Sequence, residues 1–236
     1  MLPSGTRDRT TLAHLAGALI SATGEIQMNG DTRPAAEALE RAGLAPLDVT
    51  STEADAVLAG APVATALTLA GLFEAEAVLQ SALVAGALSS DALRASETAL
   101  HPRVSQLRRH IGQMESATAL RALLARAPIR VSKPHEQAAE APEALRVQAE
   151  WIGASLGTLR QMVEALAAEA NAVAEDMLVI WQSAEIVTGP RVAAPLALAA
   201  DAIAGALADL GTLAERRIDA LFELGLSRRK GSPSRQ

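Results

Sequence analysis

The stretch Pro195–Leu221, PLALAADAIAGALADLGTLAERRIDAL, constrains the fold of this chain more than any other. Leu196, Ala200, Ile203, Leu207, Leu210 and Ala214 recur at alternating spacings of four and three, which predicts one apolar face on a long helix. The residues between them are mostly Ala and Gly, so neighbouring backbones can approach closely on several sides. Glu215–Asp219, ERRID, restores charge and is expected to close the helix, with Arg216 and Arg217 at its C-terminus. A helix of this kind cannot bury itself. It needs long partners.

Two partners are predicted upstream. Pro62 opens a helix to about Leu88 with Leu69, Leu72, Leu79 and Leu83 on one face. A second starts at Pro142, where Leu145, Ala149, Ile152, Leu156, Leu159, Val163, Leu166 and Ala170 keep the same four–three alternation. Two Phe, two Trp and no Tyr leave the core to Leu, Val, Ile and Ala, which suits helix-on-helix packing. The fold class expected is all-α, a long-helix bundle with a small β-hairpin. Two continuous seams exceed what one subunit needs, so association through the bundle is expected.

The hairpin signal is Gly24–Arg33, where Asn29-Gly30 is a type I′ turn pair. Thr10 or Thr11 is expected to cap a short first helix, Pro34 to open AAEALERAGL up to Gly43, and Thr50–Glu53 to form a capping box. Ser90 is expected to cap DALRAS, and His101-Pro102 to open an irregular stretch, VSQLRRHIGQ. A helix over roughly 114–126 follows, then a polar stretch, 129–141. Leu178–Trp181 and Glu185–Val187 flank a turn. Residues 1–9 read as a polar leader, 10–224 as a single helical domain and 225–236 as a disordered basic tail.

Net charge of −6 argues against a nucleic-acid footprint. With no cysteine there are no disulfides and no thiolate metal sites, which fits a reducing, cytoplasmic setting. Glu74 and Glu76 follow the apolar run 63–73, while Asp201 and Asp209 interrupt the last helix, so no membrane span is expected. His14, His101, His110 and His135 are scattered without ligand spacing, so no metal site is expected.

Several segments, in order, resemble the aromatic amino acid ammonia-lyases, histidine ammonia-lyase most closely. Thr11–Ala16, TLAHLA, resembles the helix after that family's cofactor-forming turn. Pro34–Leu44 is similar to PGAEALRRAGL, and His101–Gln113 to HPRIHALRPHPGQ. Glu169-Ala-Asn171 with Leu178 resembles ExN…L, and Leu213–Ile218 resembles LSERRI. The resemblance implies the helical ammonia-lyase/fumarase-like core and a tetrameric enzyme with active sites shared between subunits.

It also implies chemistry through 4-methylidene-imidazol-5-one, an electrophile cyclised from an internal Ala-Ser-Gly. Ring closure needs the third residue's nitrogen to attack the first residue's carbonyl, with loss of water. An ungapped match puts Gly5, Thr6 and Arg7 there, and a two-residue insertion puts Pro3, Ser4 and Gly5 there instead. Arg7 would load that nitrogen with a bulky residue, so the cofactor is expected to be absent. Other family positions change in the same direction. INGTQ corresponds to Leu58–Pro62, with Ala59 for the Asn that helps hold the electrophile. QDPYSLR corresponds to Glu140–Arg146, which keeps the carboxylate-binding Arg as Arg146 but has Glu143 for Tyr and Glu140 for Gln. GGNFH corresponds to Thr188–Val192, with Arg191 among its substitutions. The family regions before the electrophile and after ERRI are expected to be missing.

Each of these residues has a plainer reading. Glu140 and Glu143 complement a positive helix end, and Glu143–Arg146 is an i, i+3 pair; the other reading is a remodelled pocket with Arg146 holding an anion. His110 is either a proton shuttle or a structural loop histidine. The leading expectation is a non-catalytic or complementing subunit, pairing with itself or another lyase-like chain. The alternative is an enzyme with electrophile-independent chemistry, Arg146 binding the carboxylate of an amino-acid-like ligand and Glu140, Glu143 or His110 serving as acid or base.

Overall fold

A computed structural model describes residues 8–127, 141–173, 177–180, 182–188 and 193–230. These residues form nine α-helices and two antiparallel hairpins: α1 (Asp8–Ile20), β1 (Glu25–Met28), β2 (Asp31–Pro34), α2 (Ala35–Arg41), α3 (Ser51–Val57), α4 (Pro62–Ala92), α5 (Pro102–Arg108), α6 (Ile111–Leu124), α7 (Glu143–Arg146), α8 (Gln148–Ala170), β3 (Met177–Ile180), β4 (Glu185–Thr188) and α9 (Ala194–Lys230). The architecture is helical, as the seams require. It divides into two compact units, Met1–Leu69 with Leu166–Ala197, and Ala70–Ala165 with Leu198–Gln236.

In the first unit, β1 and β2 pair in register Met28↔Asp31 to Glu25↔Pro34. Asn29 (φ 53°) and Gly30 (φ 91°) both take the positive φ that a type I′ turn demands. Arg33 reaches Asp31 at 3.1 Å and Glu37 at 3.0 Å, bracing the strand against α2. Pro34 sits at the N-cap of α2, and Ala35, Ala38 and Leu39 are its buried face. Thr50 and Glu53 close a complete capping box on α3: Glu53 N–H donates to the Thr50 hydroxyl, and Thr50 N–H donates to the Glu53 carboxylate at 2.8 Å. Thr10 and Thr11 do not cap α1. The helix begins at Asp8, and Thr11 is a buried residue inside it.

In the second unit, Leu120, Leu124, Leu100, Ala117, Ala149 and Ala87 form the main cluster. Leu93, Ala95, Ala141 and Leu145 form a smaller one, with Leu221 against it. Gly112 and Gly153 bring α6 and α8 into backbone contact. A Cβ on Gly112 would lie 2.1 Å from the Gly153 carbonyl oxygen, and one on Gly153 would lie 2.4 Å from the Gln113 nitrogen.

Several boundaries differ from expectation. Ser90 does not start a new helix; it is buried within α4, which runs to Ala92. The stretch after His101 is not irregular. His101 Nδ1 accepts from the Arg103 N–H at 3.2 Å, Pro102 takes the first helical position, and Arg109 (φ 59°) ends α5 in the left-handed region. The next helix starts at Ile111 rather than 114. The helix from Pro142 breaks after one turn at Val147, and α8 starts afresh at Gln148. Its seam is buried at Leu145, Ala149, Ile152, Leu159 and Leu166, but Val163 and Ala170 are exposed.

The last helix changes most. Its buried series is Leu196, Ala199, Ile203, Ala206, Leu210, Leu213 and Arg217, still at spacings of three and four, while Ala200 is exposed and Leu207 and Ala214 are half-buried. The small Ala199 and Ala206 take positions that larger neighbours would hold apart. ERRID is not its end: the helix continues to Lys230 through part of the expected disordered tail, and residues 231–236 lie outside the described residues.

By length and composition alone, two helices are apolar enough to cross a membrane, within Ser51–Ala92 and Ala194–Glu223. In the second of these the apolar stretch contains Asp201 and Asp209, which the sequence reading took as interruptions. The core helix of a helical bundle passes the same test.

Candidate functional site

Arg146 closes the single-turn helix α7 and Glu143 opens it, both exposed and one helical turn apart, in the second compact unit. Pro142 supplies the N-cap with no side-chain bond, so Glu143 is an acidic residue in the first turn, where the helix end favours it. His110, in the same unit, is the exposed N-cap residue of α6, and its side chain makes no cap bond. It lies in the short loop between α5 and α6, at the entry to α6. Glu140, Arg191, His135 and both candidate electrophile turns (Gly5, Thr6 and Arg7, or Pro3, Ser4 and Gly5) lie outside the described residues. Among the described residues, no three of His, Asp and Glu gather as a metal site would need. Ala59 follows α3 as a half-buried residue in the first unit, and a methyl group can neither donate nor accept there.

Immediately after Arg146 the chain turns inward. Gln148 is almost fully buried and donates from Nε2 to Ser90 Oγ at 3.0 Å, while its Oε1 accepts no hydrogen bond among the described residues. Arg217 is only 3% exposed and donates from Nη1 to the Ala82 carbonyl at 3.0 Å. Burial pushes its guanidinium pKa below the ordinary value. Gly86 makes room for both: a Cβ there would lie 2.4 Å from Gln148 Oε1 and 2.6 Å from Arg217 Nη1. Arg217 therefore does not close a helix end as expected; it pins α9 to α4 from within.

Sequence singled out Ser90 and Arg217 only as helix-end residues and passed over Gln148. The signal for Arg217 is its register, seven after Leu210 on the buried series of α9. Around them, two ion pairs tie α8 to its neighbours, Arg108 with Glu150 and Arg160 with Glu115 at 2.7 Å. The second raises the Arg160 pKa through its bond to the Glu115 carboxylate.

Long helices with buried apolar series and two small hairpins make this a helical scaffold. The model of the aromatic amino acid lyase family matches residues 4–232, and the chain belongs to that family. Among solved structures it is similar to histidine ammonia-lyase from Trypanosoma cruzi, at 28% identity and a TM-score of 0.78, covering 92% of this chain and 41% of that one. It is also similar to tyrosine aminomutase from Streptomyces globisporus, at 26% identity and TM-score 0.76, covering 93% and 45%. Phenylalanine aminomutase of Pantoea agglomerans shares the fold at 22% identity and TM-score 0.80, covering 92% and 46%. This chain thus spans less than half the length of each of these three proteins.

Proposed function

We propose that this chain is a non-catalytic or complementing subunit of the aromatic amino acid lyase family, completing a helical-bundle oligomer with its own copies or with another lyase-like chain in the cytoplasm. One observation carries the reading: the long helices keep buried apolar series, while of the chemistry positions that the resemblance assigns among the described residues only Arg146 is kept. The buried series of α9 runs unbroken from Leu196 to Leu213, yet Glu143 stands for the family's Tyr and Ala59 for its Asn. An ionised carboxylate accepts hydrogen bonds but does not donate one as a phenol does, and Ala59 has no amide to hold an electrophile. No Tyr occurs anywhere in the sequence to act as the family's base. Exposed Leu67, Phe73, Val84 and Leu88 on α4 leave an apolar face that partner helices would cover.

A second reading rests on Arg146, which keeps the family's carboxylate-binding position at the exposed end of α7. In it, Arg146 binds an amino-acid-like ligand and Glu143 or His110 moves a proton without the electrophile.

The deciding experiment measures deamination of histidine, phenylalanine and tyrosine by the chain alone and by whatever assembly copurifies with it. The proposal expects no turnover from the chain alone, and Arg146→Ala without effect on its assembly. Turnover by the chain alone, lost in Arg146→Ala at unchanged oligomeric state, would favour the second reading.

A further inference from the structure

Of residues 101–111, ten are exposed and only Ser105 is buried. No Asp or Glu lies between Glu97 and Glu115, so this segment is basic on a chain of net charge −6. Leu107 is 79% exposed, and Val104 and Ile111 beside it are exposed as well. Arg108 is engaged by Glu150, but Arg103 and Arg109 form no ion pair among the described residues. Arg109 is exposed at the left-handed C-cap of α5.

A counterpart of opposite sign lies in the same compact unit. On α4, Phe73 is 64% exposed, Val78 is exposed, and between them Glu74 and Glu76 are exposed. The whole of α4 carries no Lys, Arg or His to balance them. Neither glutamate forms an ion pair among the described residues. The chain thus displays one basic–apolar segment and one acidic–apolar segment, and no ion pair among the described residues joins them.

We propose that segment 101–111 of one copy docks on segment 73–78 of a second copy, Arg103 and Arg109 against Glu74 and Glu76, with Leu107 packed against Phe73 or Val78. This names the surface for the oligomeric reading above and rests on it. Apolar contact supplies the association, and the charges set which faces meet. Two copies of net charge −6 repel at a distance, so local opposite charge is needed to select the encounter.

The test is sedimentation of the full chain over a concentration series, with circular dichroism confirming that the exposed substitutions leave the fold intact. R103E/R109E and E74R/E76R are each expected to weaken self-association about tenfold. An equimolar mixture of the two variants should restore it, because each then meets its complement. Association unchanged in both variants, weakening by the arginine variant alone, or a mixture that stays dissociated would each overturn the proposal while leaving an oligomeric chain. A wild-type chain that is monomeric at every concentration would overturn the oligomeric reading as well.

Discussion

Gln148 and Arg217 face each other across Gly86: the Cβ that Gly86 lacks would touch Gln148 Oε1 at 2.4 Å and Arg217 Nη1 at 2.6 Å. Through Ser90 and the Ala82 carbonyl, these two side chains fasten α8 and α9 to the same stretch of α4. Gly86→Ala must displace two buried, hydrogen-bonded groups. The expected cost is about 1–3 kcal/mol, read as a fall in Tm of a few degrees. An unchanged melting curve would mean that the pair has room to move.

Arg217 carries a charge into an apolar helix face with one carbonyl acceptor among the described residues. Its burial cost disappears when an uncharged chain of similar length replaces it. Arg217→Met is therefore expected to lie within about 1 kcal/mol of the wild type or to exceed it. Arg217→Ala, which empties the site, should lose about 2–4 kcal/mol. Denaturant melts of both variants check the order.

The glycines separate into two kinds. Gly112→Ala or Gly153→Ala drives a methyl group into backbone and is expected to cost about 3 kcal/mol or more. Gly157 in α8 has nothing within 4 Å of its missing Cβ. Gly157→Ala should stabilise by about 0.5–1 kcal/mol through the unfolded chain. Thermal unfolding of the three variants side by side tests the contrast.

The capping box on α3 makes a pH prediction. Hydrogen bonds from the Thr50 N–H and hydroxyl hold the Glu53 carboxyl below its ordinary value of 4.5. A depressed folded-state pKa means that this contribution is fully present above the unfolded value and is lost as pH falls through the folded one. The protection factors of the α3 amides, exchange rates taken relative to the intrinsic rate at each pH, should therefore fall on acidification below pH 4.5 in the wild type. Glu53→Gln should show no such acid step.

The long helices, the hairpin at Asn29-Gly30 and the box at Thr50–Glu53 were legible because each rests on local spacing or turn chemistry. The buried face of α9 was not, because a ranking by side-chain size favours Leu207 over Ala206, whereas close helix contact favours the smaller residue. Pro102 was read as a breaker when its place after a capping histidine made it the first residue of α5. Of the candidate site, sequence placed Glu143 and Arg146 at the start of the long helix from Pro142; they share instead the single-turn helix α7, which ends at Val147 before α8 begins. The buried partners Ser90, Gln148 and Arg217 were illegible because they belong to three segments distant in sequence, and their polarity alone suggests a surface.

The account stands most directly on the composition of the assembly formed in the protein's own host. Native mass followed by intact mass of each component is the measurement. The account predicts this chain at its unmodified sequence mass, either in a homo-oligomer or beside a lyase-like chain that carries the electrophile. This chain lighter by two water molecules, the loss that closes the methylidene-imidazolone ring, would contradict it.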